Sequence, residues 1–256
     1  MNLASLLKYK RVLVTGASSG LGAHFSRLFA SCGVHLTIAA RRIDKLEIFA
    51  DELRALGAES VTSVAMDVTD AESVKQAFVT ISNLSPHLDI VINNAGISGE
   101  SLALKQSVGQ FDEVIATNLR GVWLVATQAA SLWKNAERGG SIVNIASIQG
   151  ERVAPGLSVY SASKAAVVHL TRSLALEWAR YDIRVNALEP GYIRTEINND
   201  LWEQDYGKEM IRRIPMKRLG RPEDLDGALL LLASSASSWM TGSTLAIDGG
   251  HLVSAL

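Results

Sequence analysis

The sequence predicts an α/β fold: a central parallel sheet of about seven strands, doubly wound, with helices on both faces. Two observations predict it. Short apolar runs alternate with helix-period segments along the whole chain of 256 residues. The runs that read as strands lack polar alternation, so both of their faces must be covered, which is the habit of parallel sheets clad by helices. Right-handed crossovers then wind the chain outward from the middle of the sheet.

The elements follow in order. The run at 11–16, RVLVTG, ends in glycine, and Leu21, Phe25, Leu28, Phe29 and Cys32 recur after it at helical spacing until Gly33. A second strand at 34–40 leads to a helix marked by Leu46, Phe49, Leu53 and Leu56 and stopped by Gly57. A third strand at 61–68 precedes the helical set Val74, Ala77, Phe78 and Ile81, and a fourth strand spans 88–96. One long helix is predicted over 111–133, then a strand at 141–147, a helix over 158–180 and a strand at 184–191. A helix at 222–234 and a strand at 243–250 complete the pattern. No linker or repeat divides the chain, so residues 1–256 are expected to form a single domain. The irregular piece at 192–215, polar with scattered large side chains, follows the sixth strand and is expected to act as a lid.

Composition excludes several classes. Net charge is −1, with 48% hydrophobic and 20% charged residues and no long basic or acidic run, so nucleic acid and membrane surfaces are not expected partners. No run is long enough to cross a bilayer, and the start does not read as a signal peptide. The single cysteine, Cys32, rules out an intramolecular disulfide. A soluble cytoplasmic protein is the expectation, with no metal site.

TGASSGLG places Gly16, Gly20 and Gly22 between the first strand and the first helix. A tight turn there needs residues without a Cβ, and the helix beyond offers free N–H groups and a positive dipole end to a pyrophosphate. In this context the triplet predicts a dinucleotide-binding Rossmann fold. A site selecting NAD(H) carries an acid at the end of the second strand. Here Ala40 stands there, followed by Arg41 and Arg42, and a guanidinium grips a 2′-phosphate bidentately. NADP(H) is therefore favoured, with NAD(H) left open.

Further along, NNAG (93–96) ends the fourth strand, Asn118 lies within the long helix, and Ser147 ends the fifth strand. Tyr160 and Lys164, in YSASK, open the next helix and share a face because positions i and i+4 do. In this order, the motifs resemble the short-chain dehydrogenase/reductase family in its compact single-domain branch. The resemblance covers essentially the whole chain and adds Asp67 in MDV, Pro190-Gly191 with Thr195, and IDGG (247–250).

The resemblance implies an oxidoreductase that interconverts a ketone and a secondary alcohol, with Asn118, Ser147, Tyr160 and Lys164 catalytic. A free phenol has a pKa near 10 and is a poor base at neutrality. A neighbouring lysine and a nicotinamide cation would lower it, and Ser147 would fix the substrate oxygen. By resemblance, Lys164 also holds the nicotinamide ribose and Asn118 supports a water linking Lys164 to solvent. Cofactor contacts are expected from Gly16, Ser18, Ser19, Gly20, Leu21, Gly22, Arg41 and Arg42. By resemblance, Asp67 and Val68 border the adenine, and Asn94, Ala95 and Gly96 the adenine ribose. Pro190, Gly191, Ile193 and Thr195 take the nicotinamide end, with Tyr160 and Lys164.

Substrate contacts are expected from Ser98, Ser147, Gln149, Val153, Tyr160, Tyr192 and the 196–211 segment. The alternatives are a 3-oxoacyl-thioester reductase, with Lys134, Arg138 and Arg172 as basic rim residues, or an NAD-dependent sugar- or steroid-type alcohol dehydrogenase. A silent dinucleotide-binding sensor is disfavoured because Tyr160 and Lys164 are both kept. An enoyl reductase is disfavoured because its tyrosine and lysine stand further apart. The helices at 111–135 and 158–180 are apolar on more than one face (Trp123, Trp133, Leu174 and Trp178 among others). They predict a homo-oligomer, a tetramer or dimer, with the tail HLVSAL near an interface.

Overall fold

The structure, a computed structural model, describes residues 2–84, 87–196 and 202–254, and at Tyr206 the backbone alone. Seven parallel strands form one sheet in the order β3-β2-β1-β4-β5-β6-β7. They are β1 (Arg11–Thr15), β2 (His35–Ala40), β3 (Ser60–Ala65), β4 (Ile90–Asn93), β5 (Gly140–Ile145), β6 (Ile183–Pro190) and β7 (Thr244–Ile247). β1 pairs with β2 on one side (Val12 with Leu36) and with β4 on the other (Val12 with Ile90). The winding direction reverses between β1 and β4, and a crevice opens beyond the carboxyl ends of such a pair.

Alternate strand residues point to opposite faces, so each strand feeds two cores. Val12, Val14 and Ile92 pack under α1 (Gly20–Ser31), α2 (Ile43–Ala55) and α8 (Asp226–Ala233), against Phe25, Phe29, Leu53 and Leu229. Leu13, Val91, Ile142 and Val185 face α3 (Ala71–Leu84), α5 (Gly121–Asn135) and α6 (Ser158–Trp178), against Phe78, Val125, Trp133 and Leu174. Trp133 is 1% exposed, and its indole N–H donates to the Leu88 carbonyl at 2.6 Å. Burial of a side chain that large contributes roughly 3 kcal/mol, and truncating it to alanine costs about 3–5 kcal/mol.

The long helix expected over 111–133 is broken. α4 (Val108–Ile115) starts on a capping box of Ser107 and Gln110, residues 116–120 form a π-helical turn, and α5 follows. The period alone does not reveal this, because a single wide turn shifts the apolar face by one residue. β7 is shorter than expected because Gly249 and Gly250 take positive φ and turn the chain away.

Much of the apolar surface expected to drive oligomerisation is consumed inside the chain. Val122, Val125, Ala129, Val168 and Leu174 are buried, whereas Phe111, Trp123 and Leu176 stay exposed.

Beyond β6, Ile193 bridges to Gly220, and α7 (Asp205–Arg213) brings Met210 against Trp202, Ile214 and Leu219. This small core packs on Tyr192, so the cover is a satellite of the fold rather than part of either main core. Residues 197–201 of the expected lid, and 255–256 of the tail, lie outside the described residues. No helix among the described residues is long and apolar enough to cross a membrane.

Candidate active site

At the reversal point the ends of β1 and β4 are stitched together. Thr15 Oγ1 donates to the Ile92 carbonyl and accepts from the backbone N–H groups of Asn94 (3.1 Å) and Ala95 (3.2 Å). Asn94 Nδ2 donates back to the carbonyls of Thr15 and Gly16. Gly16 has φ +65° and a Cβ there would lie 2.8 Å from Ala95 Cα. A Cβ on Gly22 would lie 2.2 Å from the Gly16 carbonyl oxygen. The turn thus closes only without side chains, leaving the first N–H groups of α1 facing outward. That bare, donor-rich cradle fits a diphosphate.

A cleft of about 830 Å³ runs from this turn along the carboxyl edge of the sheet. One end is lined by Gly16, Ser18, Ser19, Gly20, Leu21, Arg41, Arg42, Asp67, Val68, Asn94, Ala95 and Gly96. Arg42 Nη2 donates to Ser18 Oγ at 3.4 Å, which sets the exposed guanidiniums beside the glycine turn. Asp67 accepts from both the backbone and the hydroxyl of Thr69. The other end is lined by Ser98, Ser147, Gln149, Tyr160, Lys164, Pro190, Gly191, Tyr192, Ile193 and Thr195. A cleft of this size and lining has room for a dinucleotide and a small molecule side by side.

Tyr160 lies in the first turn of α6, and Lys164 one turn later puts its ammonium 5.7 Å from the phenol ring centroid. Lys164 is buried and donates to the Ile145 carbonyl at 2.8 Å. Burial pushes its pKa down to about 8. The phenol of Tyr160 is raised by burial, which outweighs the hydrogen bond with Ser147 that lowers it. In the chain alone, low polarity penalises both charges and the ammonium is committed to a carbonyl; the expected lowering of the phenol draws on a nicotinamide cation as well as on Lys164.

Asn118 sits in the π turn and is fully buried. Its Oδ1 accepts from Ile97 N–H (2.9 Å), and its Nδ2 donates to the Ile97 carbonyl (2.8 Å) and to Ser163 Oγ (3.1 Å). Ser163 Oγ in turn donates to the Tyr160 carbonyl. The side chain of Asn118 therefore ties the loop after β4 to the first turn of α6 rather than lining the cleft. Such π turns are common beside functional sites.

Three further expectations need correction. Gly22 lines no part of the cleft and acts by packing behind the turn. Val153 is 86% exposed and outside the cleft, whose wall there is Ala154, Pro155, Gly156 and Leu157. Lys134 and Arg138 do not form a rim: Lys134 sits over the Tyr181 ring, and Arg138 approaches Asp89, which precedes β4 at the opposite edge of the sheet. Arg172, two turns past Lys164, does not line the cleft either.

The sequence reading missed several residues. Ser163 could have been found from its i+3 spacing to Tyr160. Thr117, Glu100 and Glu113 line the cleft with no motif to announce them, while Trp202 and Met210 reach it from within the expected 196–211 segment. Gln149 Nε2 donates to Tyr192 Oη at 3.1 Å, and the Tyr192 ring meets Trp202 edge-on at 5.3 Å. Glu189, at the end of β6, is 1% exposed with Oε1 unpartnered, and burial pushes its pKa to about 7. Among the described residues no cluster is suited to a metal ion.

Known proteins are similar to this chain over nearly its whole length. The family described as Enoyl-(Acyl carrier protein) reductase matches residues 16–251. The 3-oxoacyl-[acyl-carrier-protein] reductase of Thermotoga maritima is 37% identical, over 96% of this chain and 99% of its own. The structure of a short-chain type dehydrogenase/reductase from Mycobacterium marinum is 40% identical with TM-score 0.91, covering 97% of this chain and 98% of that one. The structure of a gluconate 5-dehydrogenase from Burkholderia cenocepacia J2315, in complex with NADP and tartrate, is 32% identical with TM-score 0.94 and covers 100% of both chains.

Proposed function

The chain belongs to the short-chain dehydrogenase/reductase family and is an NAD(P)-dependent oxidoreductase acting on ketone or alcohol substrates. From that premise we propose that it uses NADP(H), that Tyr160 is its general acid/base, and that Ser147, Lys164 and Asn118 complete the site. The observation that carries this reading is that Ser147, Tyr160 and Lys164 line the same cleft as the glycine turn. The glycine turn and α1 would hold the diphosphate, and Arg41 and Arg42 the 2′-phosphate. When bound, the nicotinamide supplies or takes the hydride at the substrate carbon.

The chain's own part is the proton. During reduction Tyr160 Oη donates to the oxygen that gains charge, and Ser147 Oγ hydrogen-bonds the same atom. Positioned acids contribute about 10²–10⁴ in rate and a single oxyanion donor about 10²–10³. The phenolate left behind is stabilised by the ammonium of Lys164, which is mostly charged at pH 7 with a pKa of about 8. Asn118 positions this group through Ser163 and holds Ile97 beside it. During oxidation the proton runs the other way.

The description of the matching family as an enoyl reductase does not carry over well, because Tyr160 and Lys164 stand one helical turn apart, the spacing suited to carbonyl chemistry. The Thermotoga relative favours a second reading, 3-oxoacyl-thioester reduction. The chain is read as one domain, with 192–215 covering the substrate half. Exposed Phe111, Trp123 and Leu176 support assembly as a homo-oligomer. A cytoplasmic setting suits the lone buried Cys32. Assay of a promiscuous diketone with NADPH and NADH in parallel tests the reading. It predicts turnover with NADPH preferred, and absence of turnover with either cofactor would overturn it.

A further inference from the structure

Tyr192 reaches the cleft from the loop after β6. Its hydroxyl accepts from Gln149 Nε2 at 3.1 Å, and the Gln149 backbone N–H donates to Ser147 Oγ at the same distance. Tyr192 is thereby a wall of the substrate end, beside the serine. Against its ring packs the imidazole of His251, with centroids 5.3 Å apart and planes at 45°. His251 is 4% exposed and lines no part of the cleft, and its Nδ1 meets no hydrogen-bond partner. Burial, then Arg152, press its pKa below the usual value against the pull of Asp248, and Arg213 adds to the push. The ring is therefore uncharged at neutral pH and acts on Tyr192 as a packing surface.

The tail that carries His251 is held from several directions. Asp248 accepts from the N–H groups of Gly250 (2.8 Å) and Leu252 (2.6 Å), which winds the tail into a tight turn. Gly191 packs on that turn so closely that a Cβ would lie 2.7 Å from Asp248 Cα. Arg152, in the segment that leads to the 154–157 wall, donates to the His251 carbonyl and to Ser254 Oγ. Past the end of α7, Met216 N–H donates to the Gly249 carbonyl at 3.2 Å. One short turn thus joins the segments that carry Ala154–Leu157, Tyr192 and Met210 to the cleft, yet none of residues 248–254 lines it.

A side chain on a loop keeps one rotamer only where packing and hydrogen bonds lock it. Resting on the reading of this cleft as the site of carbonyl–alcohol chemistry, we infer that His251 is a positioning residue for substrate binding. Its ring, carried on a tail anchored by Asp248 and Arg152, holds Tyr192 in the setting that the Gln149 amide bonds. Tyr192 meets the substrate, and His251 acts only through it. Substrate fit therefore depends on residues near the end of the chain that never touch the ligand. The glycine turn and the cofactor are indifferent to them.

The test is a double-mutant cycle on the reduction of benzil, an aryl diketone, with NADPH saturating. H251A is predicted to raise the benzil KM about three- to tenfold, the range an aromatic ring contact supplies, with kcat within about twofold. H251F keeps a ring at this place and should restore a KM close to that of wild type. Y192A also raises KM, and H251A added to it should change KM by less than about twofold, because the imidazole then has no ring to hold. NADPH affinity stays at the wild-type value throughout, which shows that the variants are folded. Effects of H251A and Y192A that multiply, or an H251F as impaired as H251A, would overturn the inference. So would a wild-type KM in R152Q, which frees the tail and leaves the ring intact, even where H251A does not fold. Amide exchange of residues 190–196 needs no turnover. It should quicken in H251A and not in H251F, and unchanged exchange would contradict the inference whatever the activity. Absence of benzil turnover by the wild type counts against the broader reading and leaves exchange to decide this one.

Discussion

The two halves of the cleft are built from different materials. The dinucleotide half is made of backbone: a turn held at Gly16 and Gly22, strand ends stitched through Thr15, and the open N-terminus of α1. The substrate half is made of side chains drawn from four separated segments, around Ser98, Gln149, Gly156 and Tyr192–Met210. Backbone geometry tolerates almost no substitution, because any added atom meets a main chain that cannot move aside. Side chains on loops can change one at a time. The difference explains how one half serves a single cofactor class while the other is free to select among alcohols.

The largest effect should come where the halves meet. Tyr160→Phe removes the proton donor and should lower kcat by about 10³ or more, while NADPH affinity by fluorescence titration stays within a few-fold. A variant that kept its turnover would remove the phenol from the mechanism.

Next comes a matched pair of glycines. Gly22→Ala forces a Cβ to 2.2 Å from the Gly16 carbonyl oxygen. It should weaken cofactor binding about 100-fold and lower stability by roughly 2 kcal/mol or more, in line with overpacking costs. Gly156→Ala, on the substrate half, has nothing within 4 Å and only its φ of +79° against it. That strain costs about 1 kcal/mol, and cofactor affinity should barely change. Equal effects of the two on NADPH binding would erase the contrast between the halves.

Arg41→Asp probes an exposed, charged side chain of the dinucleotide half. Charge-assisted hydrogen bonds contribute about 1.5–3 kcal/mol, so selectivity for NADPH over NADH should fall about 10- to 100-fold, read from kcat/KM ratios. An unchanged ratio would place the 2′-phosphate elsewhere.

A smaller effect should appear in stability. Glu189 carries a folded-state pKa of about 7 against 4.5 for the free group, with burial the first cause and Glu151 the second. The folded protein therefore holds a proton that the unfolded chain releases between these values. The contribution is fully present below pH 4.5 and is lost as pH rises through 7. Glu189→Gln should match wild type near pH 4.5 and exceed it at pH 8 by on the order of 2 kcal/mol, seen as several degrees in Tm. A gap that widened toward acid would reverse the sign and refute the burial argument.

The dinucleotide half was the more legible in sequence for the same physical reason. Glycines at fixed spacing, strand ends and paired arginines are requirements of backbone and charge, so they leave a readable pattern. The order of the elements was readable too, since Phe25 and Phe29, or Val74 and Phe78, keep helical spacing. The π turn at 116–120 was hidden, because one widened turn barely disturbs an apolar period. Elsewhere in the cleft, Val153 was misplaced and Glu100, Glu113 and Thr117 went unseen, while Trp202 and Met210 were covered only by the broad 196–211 expectation. Which side of a loop faces a cleft depends on long-range contacts such as Ser101 to Gly156, and no local spacing encodes them. The weight of burial at Tyr160 was also not legible: in the chain alone it raises the phenol, while the ammonium of Lys164 is bonded to the Ile145 carbonyl.

The central claim is that Tyr160 is too weakly acidic alone and becomes a working acid/base when a positively charged nicotinamide lies beside it. Ultraviolet difference titration of the phenol, with the Tyr160→Phe variant subtracted to remove the other tyrosines, reads it directly. The account predicts a midpoint above 10 in the free protein and one shifted markedly downward with NADP⁺ bound. A midpoint that stays above 10 with the oxidised cofactor saturating would contradict it.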